Sequence, residues 1–219
     1  MAAALTLYGA RGSGAVPVEA ALTLLDIPYA LIDAYTWDHD DPASGDQVLK
    51  ANPMRQVPAL VLASGEVVTE SAAILIWLAE TYPKAGLAPA PGDSRRAQFL
   101  RWMSFVSSAI YSLYWVKDDP SRLVPDPAGH AALETRVLDR IADCWGMMER
   151  QLAPGRYILG DDLTVLDLYV AAVSRFRPRR KRFYEVAPRM GEVVRRVDDD
   201  PRLHALWAER MGFHEGWEG

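Results

Sequence analysis

Two junctions between a strand and a helix carry most of the chemistry this sequence offers. At the first, Glu70-Ser71 separates the short run Glu66 to Thr69 from an apolar helical stretch. The opening amides of a helix lack intrahelical partners and carry the positive end of its dipole, so this junction suits a ligand carboxylate. At the second, Gly12-Ser13-Gly14 follows the apolar run Ala4 to Tyr8 and precedes Pro17, whose fixed φ suits a first helical turn. With Asp33 about twenty residues further on, this junction has part of the outline of a dinucleotide site. Position 17 should then be Gly or Ala, to let helix and strand approach, and the surrounding module is too short for a doubly wound sheet. The dinucleotide reading is therefore set aside.

Other residue clusters argue for less. Arg175, Arg177, Arg179, Arg180, Lys181 and Arg182 gather six of the 24 cations, but Pro178 interrupts them and no nucleic-acid motif accompanies them. They are expected to form a solvated segment between helices, paired to acids such as Asp198 to Asp200. The four histidines (His39, His130, His204 and His214) show no metal-ligand spacing, and no Ser-His-Asp pattern is present.

Composition bounds the remaining classes. The chain has 219 residues, half of them apolar and 10% aromatic, which excludes a disordered chain and allows one large domain or two modest ones. A net charge of −5 gives no general attraction to nucleic acid or an anionic membrane. The start, MAAALTLYGARGSG, lacks the basic residues and long apolar run of a secretory signal. No stretch approaches the ~18 apolar residues of a membrane span. One cysteine, Cys144, can form neither an intramolecular disulfide nor a C-x-x-C pair nor a multi-cysteine metal site. A cytoplasmic protein without metal, nucleic-acid or membrane partners is expected.

The elements that must position the two junctions follow from periodicity. Val18, Ala21, Leu22 and Leu25 share one helical face, Asp26-Ile27-Pro28 ends that helix, and Tyr29 to Ala34 reads as a second strand. Residues 35–52 are polar and irregular, with one helical turn around Gln47 to Ala51. Pro58 to Ala63 and Glu66 to Thr69 flank Ser64-Gly65, a two-residue hairpin signal. Ser71 is the expected N-cap of a helix carrying Ile74, Leu75, Leu78 and Tyr82. The run Pro83 to Gly92 holds five Pro or Gly in ten residues and reads as a linker. Beyond it, Phe99, Met103, Val106, Ile110 and Leu113 form one helical stripe; Val137, Ile141, Cys144, Met148 and Leu152 form another. Thr164 and Asp167 make a capping box.

A β-α-β-α-β-β-α module with Val57-Pro58 before its hairpin, followed by a helical bundle, resembles the glutathione transferases. The resemblance covers essentially the whole chain. Its most specific stretches are Asn52-Pro53-Met54-Arg55-Gln56-Val57-Pro58-Ala59-Leu60 and Glu70-Ser71-Ala72-Ala73-Ile74, joined by LYGARGSG at 7–14 and GDDLTVLDLYVA at 160–171. It implies a fold of α/β plus all-α type: a thioredoxin-like N-terminal domain at 1–82, a linker at 83–93 and an all-helical C-terminal domain at 94–219.

The resemblance also implies roles. Pro58 would follow a cis peptide bond, although X–Pro bonds are mostly trans, and would turn the Val57 backbone outward to pair with glutathione as an added strand. Glu70 and Ser71 would hold the γ-glutamyl end, and Arg55 the glycine carboxylate. The glutathione thiol needs a hydrogen-bond donor to ionise near neutral pH, and Tyr8 and Ser13 are the hydroxyls available. Tyrosine-type members place their Tyr four residues before an Arg-Gly pair; Tyr8 is three before Arg11-Gly12. Strand alternation then turns Tyr8 to the other face and puts Leu7 in the tyrosine's place. Ser13 matches the serine-type pattern and is the stronger candidate, with backbone amides a third option. Gly14-Ala15-Val16-Pro17 departs from the family's pattern.

The implied function is transfer of the glutathione thiolate, as co-substrate, to a small apolar electrophile in a homodimer. The acceptor pocket would lie beside the first bundle helices and be lined by Tyr111, Tyr114 and Trp115. An aromatic cluster at helical spacing also reads as core. Two alternatives stay open: a non-catalytic glutathione-binding or scaffolding module, and another glutathione-dependent reaction such as dehalogenation, isomerisation or ether cleavage. Cysteine-type members place a Cys near the end of the first strand, where this chain has Gly12, Ser13 and Gly14. The reactive sulfur must therefore arrive with the ligand.

Overall fold

A strand whose neighbours pair on both sides sits at the centre of the first unit. In a computed structural model, which describes residues 5–37 and 40–213, β1 (Leu5–Gly9) runs parallel to β2 (Tyr29–Asp33) and antiparallel to β3 (Ala59–Val61). The edge strand β4 (Val67–Thr69) pairs antiparallel to β3, giving the sheet order β2-β1-β3-β4. Ala4, expected in the first strand, and His39 and His214 lie outside the described residues. Between β1 and β2 runs α1 (Val16–Leu24), and α3 (Ser71–Thr81) follows β4 and packs against α1.

Local chemistry accounts for the departures from expectation. The hairpin loop has three residues, not two: Leu62 N–H bonds Glu66 O, Gly65 N–H bonds Leu62 O, and Gly65 takes φ +87°. That is the turn-plus-bulge closure in which glycine supplies the left-handed residue. The polar stretch holds a short helix, α2 (Pro42–Asp46), which runs into a 3₁₀ turn at Gln47–Lys50. It lacks apolar periodicity, and its legible signal was Asp41, whose carboxylate caps Ser44 N–H, followed by Pro42 at the start. The cap of α3 is Glu70 rather than Ser71; its carbonyl accepts from Ile74 N–H, and Ser71 is the first helical residue.

The second unit, Pro89–Val197, is helical. Here α4 (Arg96–Phe105) passes through a π-helical turn at Val106–Ile110 and a 3₁₀ turn into α5 (Tyr114–Asp118). Then come α6 (His130–Gln151), α7 (Val165–Val173), α8 (Arg179–Val186) and α9 (Pro188–Asp198). Phe99, Met103, Val106 and Ile110 are fully buried, as are Ile141, Cys144 and Met148 on α6. The capping box forms: Asp167 accepts from the Thr164 amide and hydroxyl and from Ile158 N–H, each at 2.8 Å. Burial pushes its carboxyl up to about 6, against those hydrogen bonds. No described helix is long and apolar enough to cross a membrane.

Two expectations for this half need correcting. The basic run is not a solvated connector, because residues 179–186 form α8 and Arg175 and Arg180 are buried. Arg180 donates to the Ala171 carbonyl, Arg177 pairs with Glu134 and Arg182 with Glu185, while Asp200 pairs with Arg202. Nor does the chain after the linker form a single body. The division falls at Ala88–Pro89, but Asp198–Phe213, carrying α10 (His204–Met211), groups with the first unit. The charge of Arg210 on α10 is met inside that unit, by Glu19 and Asp33.

Candidate active site

Register places the candidate residues at one end of the sheet. Tyr8 pairs with Ala59, and Ala59 with Thr69. Ala10, Val57 and Ser71 each lie two residues beyond these pairs along the chain, with Gly9 beside Asp33 on β2. A Cβ on Gly9 would stand 2.8 Å from Ala15 Cβ, so glycine is what lets the end of β1 pass the start of α1. Gly12, at φ +67°, then reverses the chain.

Ser13 is buried in this turn. Its hydroxyl donates to Ala10 O at 2.7 Å and accepts from Ala15 N–H at 3.1 Å. Its one proton is thus held by a neutral carbonyl. To serve a sulfur anion it must rotate away from Ala10, exchanging a neutral hydrogen bond for a charge-assisted one. Tyr8, by contrast, packs with Ala34, Val48 and Ala59, on the face that strand alternation assigned it.

Across the sheet end, Ser71 Oγ donates to Gly14 O at 2.9 Å and ties the starts of α1 and α3 together. Glu70, beside it, is exposed and held at φ +67°, a conformation that costs a non-glycine residue about 1–3 kcal/mol and gathers at ligand sites. The Val57–Pro58 bond is cis, and among the described residues neither the N–H nor the C=O of Val57 has a hydrogen-bond partner.

Arg55 does not stand where a carboxylate could take its fork. Also at positive φ, it donates from Nε to Asp46 at 2.7 Å, and from its terminal nitrogens to Thr36 O at 2.5 Å and Pro42 O at 3.1 Å. Three of its five N–H donors brace Thr36, Pro42 and Asp46, which converge on it.

The aromatic trio of the helical unit does not line one surface. Tyr114 is buried, gives its hydroxyl to Arg177 O at 2.7 Å, and burial holds its phenol well above the usual range. Tyr111 stacks on Phe176, centroids 5.6 Å apart. Trp115 is 47% exposed and lies under Arg122. Consecutive helical residues 114 and 115 point apart: Tyr114 is core, with Tyr111 packed against it, and Trp115 is on the surface. Cys144 is buried, which pushes its thiol up.

A charged cluster escaped the sequence reading. Arg210 pairs with Glu19 at 2.8 Å and Asp33 at 2.9 Å; the side chains of Arg210 and Glu19 are 3% and 1% exposed. Burial pushes the Glu19 carboxyl up, with Arg210 opposing. Burial and the charge of Glu19 push the neighbouring Tyr29 phenol up to about 12. The available signal was Glu19 itself, an acid among Val18, Ala20, Ala21 and Leu22, which required a partner. Asp33 is thereby also engaged.

Comparison with known proteins agrees with this geometry. The model for the glutathione S-transferase N-terminal domain matches residues 15–81, and that for the C-terminal domain matches residues 131–206. The uncharacterized GST-like protein YncG of Escherichia coli K12 is 30% identical over 202 residues, 92% of this chain and 96% of that protein. Glutathione S-transferase Z2 of Arabidopsis thaliana is 31% identical over 205 residues, 84% of this chain and 86% of that one. A glutathione transferase homologue from Sulfitobacter, crystallised with bound glutathione, matches at a TM-score of 0.83 and 25% identity, covering 96% of this chain and all of that one. Sheet order, the two helix starts tied by Ser71 and Gly14, and these relatives converge: the chain belongs to the glutathione S-transferase family.

Proposed function

We propose that the protein binds glutathione and transfers its thiolate to a small apolar electrophile. The observation that carries this reading is the Ser71–Gly14 hydrogen bond, which ties the starts of α1 and α3 together, and the backbone of Val57 is open to pair with a ligand. Glutathione lies against Val57 as a short added strand. Its γ-glutamyl carboxylate meets the opening amides of α3, that of Ser71 among them, and Glu70 takes its ammonium. The sulfur comes to the Ser13 turn, where the hydroxyl rotates from Ala10 to donate to the thiolate. The thiolate then forms a carbon–sulfur bond with the electrophile while the leaving group departs with its electron pair. Arg55 acts through the 36–46 segment, not on the ligand. The active species is a homodimer in the cytoplasm.

A second reading has its own observation. Because the Ser13 proton is already held by Ala10 O, the site could bind glutathione without activating it. Calorimetric titration with glutathione, followed by turnover against a panel of activated aryl halides and enones, separates the two. Binding with turnover supports the transferase. Binding without any turnover supports the binding module, and no binding overturns both. Sedimentation equilibrium at the mass of one chain would contradict the dimer.

A further inference from the structure

We propose that Arg210, on the C-terminal helix, is a positioning residue for Ser13 that holds the Ala10–Ala15 turn at its entry, centre and exit. At the entry, its guanidinium bonds Asp33 Oδ1 at 2.9 Å; the next residue, Ala34, donates to Gly9 O at 2.7 Å, so the ends of β1 and β2 are fixed as a pair. At the centre, its backbone carbonyl accepts from Gly12 N–H at 2.8 Å. At the exit, Nε bonds Glu19, one turn into α1, at 2.8 Å and 3.1 Å from the two carboxylate oxygens. The amide of Glu19 in turn bonds Ala15 O at 2.9 Å.

One residue therefore spans the segment from Gly9 to Glu19. Among the described residues, Ser13 Oγ hydrogen-bonds groups inside that span, the carbonyl of Ala10 and the amide of Ala15. Its position is set by where those two groups stand. Gly12, at φ +67° and with nothing near its absent side chain, has no packing of its own to hold it. Its link to α10 supplies that restraint. The planar fork of arginine meets two carboxylates on different elements, an arrangement that lysine's single ammonium cannot reproduce; the Gly12 bond is made by the main chain and depends on where that fork holds α10.

This inference rests on the proposed glutathione site, and its test separates the two. The thiol pKa of bound glutathione is measured by thiolate absorbance in the native protein, Arg210→Gln, Ser13→Ala and the double variant. Exchange of the Gly12 amide is followed in the first two. In folded Arg210→Gln the thiol pKa is expected to rise as far as in Ser13→Ala, by about one unit. The double variant should add nothing further, since both changes act on one contact. Gly12 exchange should accelerate in Arg210→Gln. Arg210→Lys should recover little of either effect. If Arg210→Gln fails to fold, Asp33→Asn, which leaves Glu19 paired, should move pKa and exchange part of the way in the same direction.

An unchanged thiol pKa in a folded Arg210→Gln or Asp33→Asn protein overturns the positioning role alone. So does a shift that persists in full on the Ser13→Ala background. A native protein that binds no glutathione overturns the glutathione reading and this inference with it; one that binds it with an unlowered thiol pKa keeps the binding module but overturns the thiolate role of Ser13, and this inference with that role.

Discussion

Replacing Ser13 by alanine removes the hydroxyl that this account makes the thiol's partner, and the structure sets how much that should matter. A charge-assisted hydrogen bond contributes about 1.5–3 kcal/mol and a neutral one about 0.5–1.5 kcal/mol. The Ser13 hydroxyl already makes the neutral bond, to Ala10 O at 2.7 Å. Only the difference, about 1–1.5 kcal/mol, is left to favour the thiolate, which corresponds to a thiol pKa lowered by about one unit from the ~8.5 of a free thiol. At pH 6.5 the thiolate fraction would then be about ninefold higher than in Ser13→Ala. A less basic thiolate is also a weaker nucleophile, by roughly threefold per unit.

The assay is single-turnover conjugation at saturating glutathione, from pH 6 to 9.5. Native protein should be about threefold faster than Ser13→Ala at pH 6.5, with the two equal near pH 8 and the variant ahead above that. Glutathione affinity should change little near pH 6.5 and fall by up to about tenfold above pH 9, since the bond lost forms only to the ionised sulfur. A loss that is independent of pH would refute the reasoning, as would one of a hundredfold or more.

Three further outcomes follow from the same contacts. Tyr29 should ionise near pH 12, seen by phenolate absorbance against a Tyr29→Phe blank. Its raised folded value means that its stabilising share, intact below the unfolded value of ~10, is lost as pH climbs from there through 12. Removing Arg210 should raise it further. Asp167→Ala strands the Ile158 and Thr164 amides and should cost about 2–5 kcal/mol in denaturant unfolding, against no loss if the box were ornamental. Arg55→Lys should destabilise by about 1–2 kcal/mol, because an ammonium cannot reach Asp46, Thr36 and Pro42 together. Were Arg55 instead a carboxylate ligand, lysine would keep stability and lose glutathione affinity.

What the sequence disclosed, and what it hid, divides by range. Strand alternation gave Tyr8 and Leu7 opposite faces from adjacent positions alone, and Tyr8 packs with Ala34, Val48 and Ala59. The Thr164–Asp167 box was readable because its partners are three residues apart. Turn chemistry was half legible: Gly65 announced a hairpin, but the extra loop residue depends on φ, which spacing alone does not report. Arg55 looked like a ligand because a lone arginine in a motif has no visible partner; its acceptors lie 9, 13 and 19 residues away. The Arg210–Glu19 pair spans 191 residues and left only one trace, an acid in an apolar face. The return of α10 to the first unit was hidden for the same reason.

The most direct test of the account is a pH titration of glutathione bound to the native protein, read by thiolate absorbance against free glutathione. The account predicts a thiol pKa about one unit below the free value, restored by Ser13→Ala. A bound thiol that titrates with free glutathione, or a lowered value that survives Ser13→Ala, would contradict it.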